Sequence, residues 1–134
     1  MIYFDYSCHF WGQMFSLRAA ANRTSLSFDE QEEVGDIGKL GRYHGQPQSY
    51  GAAQVRAPKN VPHEKKVKWL VRKILLHLSV IRECGATNIR VDLAIYHDGQ
   101  CNCEFDTEEI RMLAECGVPL TVSVYEDEKM AESK

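Results

Sequence analysis

The residues most capable of chemistry sit together at Cys101-Asn102-Cys103, where two thiols one residue apart suggest a zinc-binding pair. In an extended strand both sulfurs point the same way, about 7 Å apart. Structural zinc usually takes cysteines separated by two to four residues and two further ligands. The chain has no second pair, although His97 and Cys116 are candidates to lie near. The expectation is that both thiols pack into the core as small hydrophobes. A nucleophilic Cys–His pair such as Cys8 with His97 is the other chemistry within reach, because such partners are adjacent only in the fold. His9, His44, His63, His77 and His97 are scattered, and none forms a helical His-x-x-x-His pair. Gly35, Gly38, Gly41 and Gly45 lack the following helix and the lysine of a phosphate-binding loop. No catalytic residue, metal ligand or cofactor is assigned on these grounds. Catalysis would have to be sought among Asp5, Ser7, His9, Asp92, Thr121 and Ser123, which strand alternation places on one polar sheet face.

Composition and charge narrow the classes. At 134 residues and 44% hydrophobic, the chain suits one domain with a real core. Five cysteines, an odd number set in apolar patterns, favour reduced thiols and a cytoplasmic protein over a disulfide framework. Met1 leads straight into Ile2-Tyr3-Phe4-Asp5. With no leader pattern there and no run approaching the ~20 apolar residues of a membrane span, neither secretion nor insertion is expected. The formal net charge of −3 hides a segregation: Arg56 to Arg82 holds eight Lys or Arg against Glu64 alone, and Asp29 to Asp36 holds five acids and no base. The negative total, and Trp69 as the only aromatic within the basic block, argue against nucleic acid. Asp29, Glu30, Glu32, Glu33 and Asp36 form a candidate partner-binding block suited to steering toward a basic surface.

Several elements must position these residues. Ile2 to Phe10 alternates apolar and polar residues as a half-buried strand does. Ser16 is the expected N-cap of a short helix from Leu17 to Ala21. Leu26-Ser27-Phe28 begins another alternation, the glycine series with Pro47 reads as a flexible connection, and Tyr50 to Ala57 returns as a strand. Pro62 to Arg82 is the longest expected helix, with Asn60 or Val61 as cap and Gly85 at its left-handed exit. Its apolar stripe runs through Val67, Leu70, Val71, Ile74, Leu75, Leu78 and Ile81. Trp69, Leu76 and Val80 form a second stripe on the opposite side. Either the glycine-rich segment or a neighbouring chain end folds over this second stripe, or it is a partner or dimer contact.

In the last third, Ile89, Val91, Leu93 and Ile95 alternate along one strand and Cys101, Cys103 and Phe105 along a second, with Asp98-Gly99 between them. A three-residue loop His97-Asp98-Gly99 would pair Ile95 with Cys101 and turn both apolar sets to the core. The spacing therefore predicts a hairpin with Gly99 at positive φ. Asp106 and Glu109 read as a capping pair for a helix that ends at Gly117. Leu120, Val122 and Val124 alternate along a final strand. The fold class is α+β: a single-domain mixed or antiparallel sheet with helices on one face, over residues 1–126. A flexible acidic tail is expected over 127–134.

The run from Val91 to Phe105, with Glu108-Glu109-Ile110-Arg111-Met112-Leu113-Ala114 and Leu120-Thr121-Val122-Ser123-Val124-Tyr125, resembles a family of small bacterial proteins known only as a domain of unknown function. The resemblance covers the last third well and the long helix loosely, and the first half departs from it. It implies a fold rather than an activity. By analogy with small bacterial domains encoded beside toxins, the leading expectation is a non-enzymatic protein-binding domain, an immunity protein that neutralises a cognate toxin by covering its working surface. The toxin would be a basic protein such as a nuclease. A ligand-binding or regulatory domain that dimerises through Trp69, Leu76 and Val80 is the alternative, and an enzyme the third choice.

Overall fold

A computed structural model of the chain describes residues 2–37, 45–47 and 49–126. Most of the glycine-rich connection and the acidic tail expected at 127–134 lie outside the described residues. The elements run β1 (Ile2–Gly12), α1 (Leu17–Arg23), β2 (Asp29–Glu32), β3 (Gly51–Arg56), α2 (His63–Glu83), β4 (Asn88–His97), α3 (Thr107–Cys116) and β5 (Leu120–Glu126). The strands form one sheet in the order β2-β3-β1-β4-β5. All neighbours are antiparallel except β4 and β5, which run parallel. All three helices share one face of this sheet: α2 packs on β1, α1 on α2 and β3, and α3 on α2. The architecture is α+β.

Alternation along β1 decides which face the helices cover. Tyr6, Cys8 and Phe10 are buried with Val91, Leu93 and Ile95 of β4, facing Leu70, Val71, Ile74 and Ile81 of α2. Each such side chain contributes about 1.5–3 kcal/mol from apolar burial, before the entropy of ordering it. Leu75, assigned to the inward stripe of α2, is instead 39% exposed, because it lies on the flank of a stripe whose centre is Val67, Leu70, Ile74 and Ile81.

The helix ends follow from local chemistry. The Ser16 hydroxyl accepts from Ala19 N at the start of α1, and the Asp106 carboxylate accepts from Glu109 N at the start of α3. Gly117 closes α3 in the left-handed conformation. Pro62, at the N-cap of α2, has no side chain with which to cap. Gly85 follows α2 at φ +103, and a Cβ there would lie 2.2 Å from the carbonyl oxygen of Met14. The exit of α2 and the β1–α1 turn can therefore approach only through a glycine. Ser16 N donates to Cys84 O at 2.9 Å across the same junction.

The hairpin predicted after β4 does not form. Gly99 has the expected positive φ of 124°, but residues 101–106 are irregular, and β5 takes the place beside β4. β1 already occupies one edge of β4 along nearly its whole length, so two segments compete for the other. Leu120–Glu126 offers seven residues rich in β-branched and aromatic side chains, whereas Cys101–Phe105 is shorter and carries Asn102 and Glu104. The longer segment with the better strand-forming residues wins, with α3 as the crossover that a parallel pair requires. Consequently Cys103 is exposed, and only Cys101 is partly buried against the core.

Candidate functional site

The residues between the buried positions of each strand form the helix-free face, arranged in cross-strand rows. Tyr3, Tyr96 and Tyr125 stand in register on β1, β4 and β5, with neighbouring ring centroids 6.1 and 5.2 Å apart. Asp5, Ala94 and Ser123 form the next row, and Arg56, Ser7, Asp92 and Thr121 the one after. Gln54, His9 and Arg90 follow, then Ala52, Trp11 and Asn88. Aromatic residues thus bracket a polar middle.

Asp92 organises that middle. One carboxylate oxygen accepts from Arg90 Nε at 2.7 Å, and the other lies 3.0 Å from His9 Nε2. The Arg90 guanidinium also lies over the Trp11 ring, 5.3 Å from its centroid. Asp5 Oδ1 is 3.2 Å from Arg56 Nε, close enough for an ion pair but misaligned for a hydrogen bond. The charges of the face are largely matched among themselves.

Lys66 joins the two faces. β3 stops pairing with β1 at Ser7, which leaves the Phe4 carbonyl at the margin of the sheet. The buried Lys66 side chain reaches round from α2 to donate to it at 2.9 Å, with its ammonium 4.9 Å from the Tyr3 ring centroid. Burial lowers the Lys66 pKa, Asp5 pulls it back up, and Lys59 pushes the same way as burial. Burial, reinforced by Asp5, raises that of Tyr3. These shifts accompany a backbone-capping role.

Ser7, His9 and Asp92 are the right residue types for a nucleophilic relay, but not the right geometry. A relay uses opposite ring nitrogens, one toward the hydroxyl and one toward the carboxylate. Here Ser7 Oγ, at 3.4 Å, and Asp92 Oδ2 both approach His9 Nε2, and Ser7 is only 7% exposed. The Cys8–His97 pair is also separated: Cys8 stands opposite Val91 and His97 opposite Ile2, six residues and about 20 Å apart along the sheet. Burial pushes the thiols of Cys8 and Cys116 upward, which holds them protonated and inert at neutral pH. All five cysteines are free, and no three His, Cys, Asp or Glu side chains converge among the described residues. Nor is any helix among them long and apolar enough to cross a membrane.

A cavity of about 970 Å³ opens at the Trp11 end of the face, lined among the described residues by His9, Trp11, Tyr50, Gln54, Asn88 and Arg90. Its volume lies at the upper end of the range of pockets that take a small ligand. The walls are aromatic and amide-bearing, with one guanidinium already oriented by Asp92.

The predicted partner-binding residues lie elsewhere and apart. Asp29 is exposed at the start of β2, and Glu30 and Glu32 follow in that strand. Glu33 accepts from Arg18 N at 2.7 Å, and Asp36 accepts from Glu33 N at 2.9 Å, so these two carboxylates order the chain after β2. Trp69 and Val80 are partly buried against the core, and Leu26 and Trp69 border one cavity of about 420 Å³. Leu76 remains 73% exposed. The chain that follows α1 thus lies beside the Trp69 end of the second stripe, and the stripe is no continuous patch.

Trp11, Arg90 and the tyrosine row are not marked as a site by residue type or spacing in the sequence, although parity puts Tyr3, Arg90 and Tyr96 on the same face as Ser7 and Asp92. What no single strand could reveal is that Tyr3, Tyr96 and Tyr125 fall in one row, because that depends on the register of three strands. Compared with known proteins, the chain matches no family model, no curated protein and no solved structure.

Proposed function

We propose that the chain is a non-enzymatic protein-binding domain that receives its partner on the helix-free face of the sheet. The observation that carries this reading is the pairing of a tyrosine row at one end with the Trp11–Arg90 stack and its cavity at the other. Tyr, Trp and Arg are enriched at binding hot spots, the two aromatics because they bury large areas at low entropic cost and Arg because its planar guanidinium both stacks and donates hydrogen bonds. The internal matching of Asp5 with Arg56, and of Asp92 with His9 and Arg90, holds these groups in place before a partner arrives, which lowers the cost of binding. In its immunity-protein form, the partner is a cognate toxin. The acidic stretch from Asp29 to Asp36 then acts on encounter rate, and the sheet face on residence time.

Partner capture by single-site variants tests this reading. A protein retained by the wild type is expected to be lost with Trp11→Ala and with Arg90→Ala, and kept with Leu76→Ser. Retention by both face variants, together with loss on Leu76→Ser, would move the contact surface to α2. The cavity supports a second reading, a domain that binds a small molecule. Mass spectrometry of molecules released on denaturing the purified protein tests it: a stoichiometric compound released from the wild type and lost in Trp11→Ala is the expected result.

A further inference from the structure

The two edges of the sheet are built differently. β2 carries Asp29, Glu30 and Glu32 within four residues, and its pairing with β3 shifts register between Asp29 and Glu32. Charge and irregularity are the usual devices that stop an edge strand from recruiting another strand. β5, at the other edge, has neither: it is uncharged from Leu120 through Tyr125, contains no proline, and pairs with β4 in unbroken register.

The apolar residues of β5 are also uncovered. Leu120, Val122 and Val124 continue the face on which Val91, Leu93 and Ile95 are buried, yet they are 37%, 47% and 56% exposed. Ile110 of α3, on the helical side of the sheet, is exposed as well. The backbone follows the same division. Val91 N donates to Pro119 O, and in a parallel ladder the residues of one strand alternate in the side to which they bond. Pro119, Thr121 and Ser123 therefore turn their peptide groups toward β4, and those of Leu120, Val122 and Val124 point outward.

We propose that two copies of this chain pair antiparallel through β5 about a two-fold axis at Val122, joining two five-stranded sheets into one. The occupant is a second copy because this register matches the strand to itself. Leu120 stands opposite Val124, and Thr121 opposite Ser123, so apolar meets apolar on the helical side and hydroxyl meets hydroxyl on the other. Leu120, Val122 and Val124 are the residues whose outward peptide groups then exchange N–H···O bonds. Charge agrees: Glu126 falls opposite Val118, and the two Glu126 carboxylates lie at opposite ends of the seam rather than against each other. An isologous contact of this kind closes after two copies.

Sedimentation of the full chain at tens of micromolar tests the proposal. The wild type is expected at twice the monomer mass. Val122→Pro removes an outward N–H that β4 does not use, and proline is tolerated at such edge positions. It should leave the circular dichroism spectrum unchanged and weaken the dimer by about a hundredfold. Val124→Lys, which sets a charge against the partner copy's apolar Leu120, should give a folded monomer and serves if the proline variant fails to fold. A wild type that stays monomeric over this range overturns the proposal. So does a folded Val122→Pro variant whose dimer dissociates no more readily than the wild type's on dilution, a dimer that survives in folded Val124→Lys, or one lost with Trp69→Ala and kept with Val124→Lys.

Discussion

On the helix-covered face, β1 contributes Tyr6, Cys8 and Phe10, all sealed from water. On the opposite face, Ser7, His9 and Trp11 from the same strand meet Asp92 and Arg90 of β4. One step along the backbone changes the chemistry completely. The covered face is held by exclusion of water, so the volume and shape of each side chain matter. The helix-free face is held by paired polar groups and stacked rings. Stability and recognition can therefore be altered separately, even at adjacent residues.

The sharpest break in that comparison comes from the covered side. Phe10 is fully buried and meets Phe28 edge-on with centroids 6.3 Å apart. Phe10→Ala is expected to cost about 3–5 kcal/mol in urea denaturation. Gly85→Ala comes next, since a methyl group would collide with Met14 O at 2.2 Å in a positive-φ conformation. A loss of about 3 kcal/mol is expected from strain and overpacking together. Asp92→Ala acts on the helix-free side and leaves Arg90 and His9 without their shared carboxylate, at an expected cost of about 1–2 kcal/mol. If Asp92→Ala proves as damaging as Phe10→Ala, the two faces are not independent.

The smallest expected effect depends on pH. His63 stacks on Phe4 with ring centroids 3.7 Å apart, and burial, reinforced by Lys66, lowers its pKa below the usual histidine value. The folded chain thus resists a proton that the unfolded chain accepts. Stability is full above the unfolded pKa of about 6.5 and declines as pH falls from there toward the lower folded value. His63→Phe keeps the stack and removes the proton site. Its urea midpoint should fall less between pH 7 and pH 5 than that of the wild type, and equal slopes would remove His63 as the cause.

How far the sequence discloses this molecule depends on which interactions set each feature. The caps at Ser16 and Asp106, the inward stripe of α2 apart from Leu75 on its flank, and the parity of β1 and β4 are local or periodic, and they can be read directly. The partner of β4 could not be read so, because two segments competed for one edge and only tertiary pairing decided between them. The same non-locality hid the candidate site. Trp11 meets Arg90, and Tyr3 meets Tyr96 and Tyr125, through registers set by the whole sheet. The acidic run at Asp29 to Asp36, conspicuous in one dimension, proves in part to be a local hydrogen-bonded turn around Glu33 and Asp36.

Hydroxyl-radical footprinting of the chain with its captured partner tests the central claim most directly, because aromatic side chains report their own burial. Trp11, Tyr3, Tyr96 and Tyr125 should be protected in the complex while Leu76 and Trp69 react as they do in the free protein. Protection of Leu76 and Trp69, with Trp11 and the three tyrosines unchanged, would contradict recognition by the helix-free face.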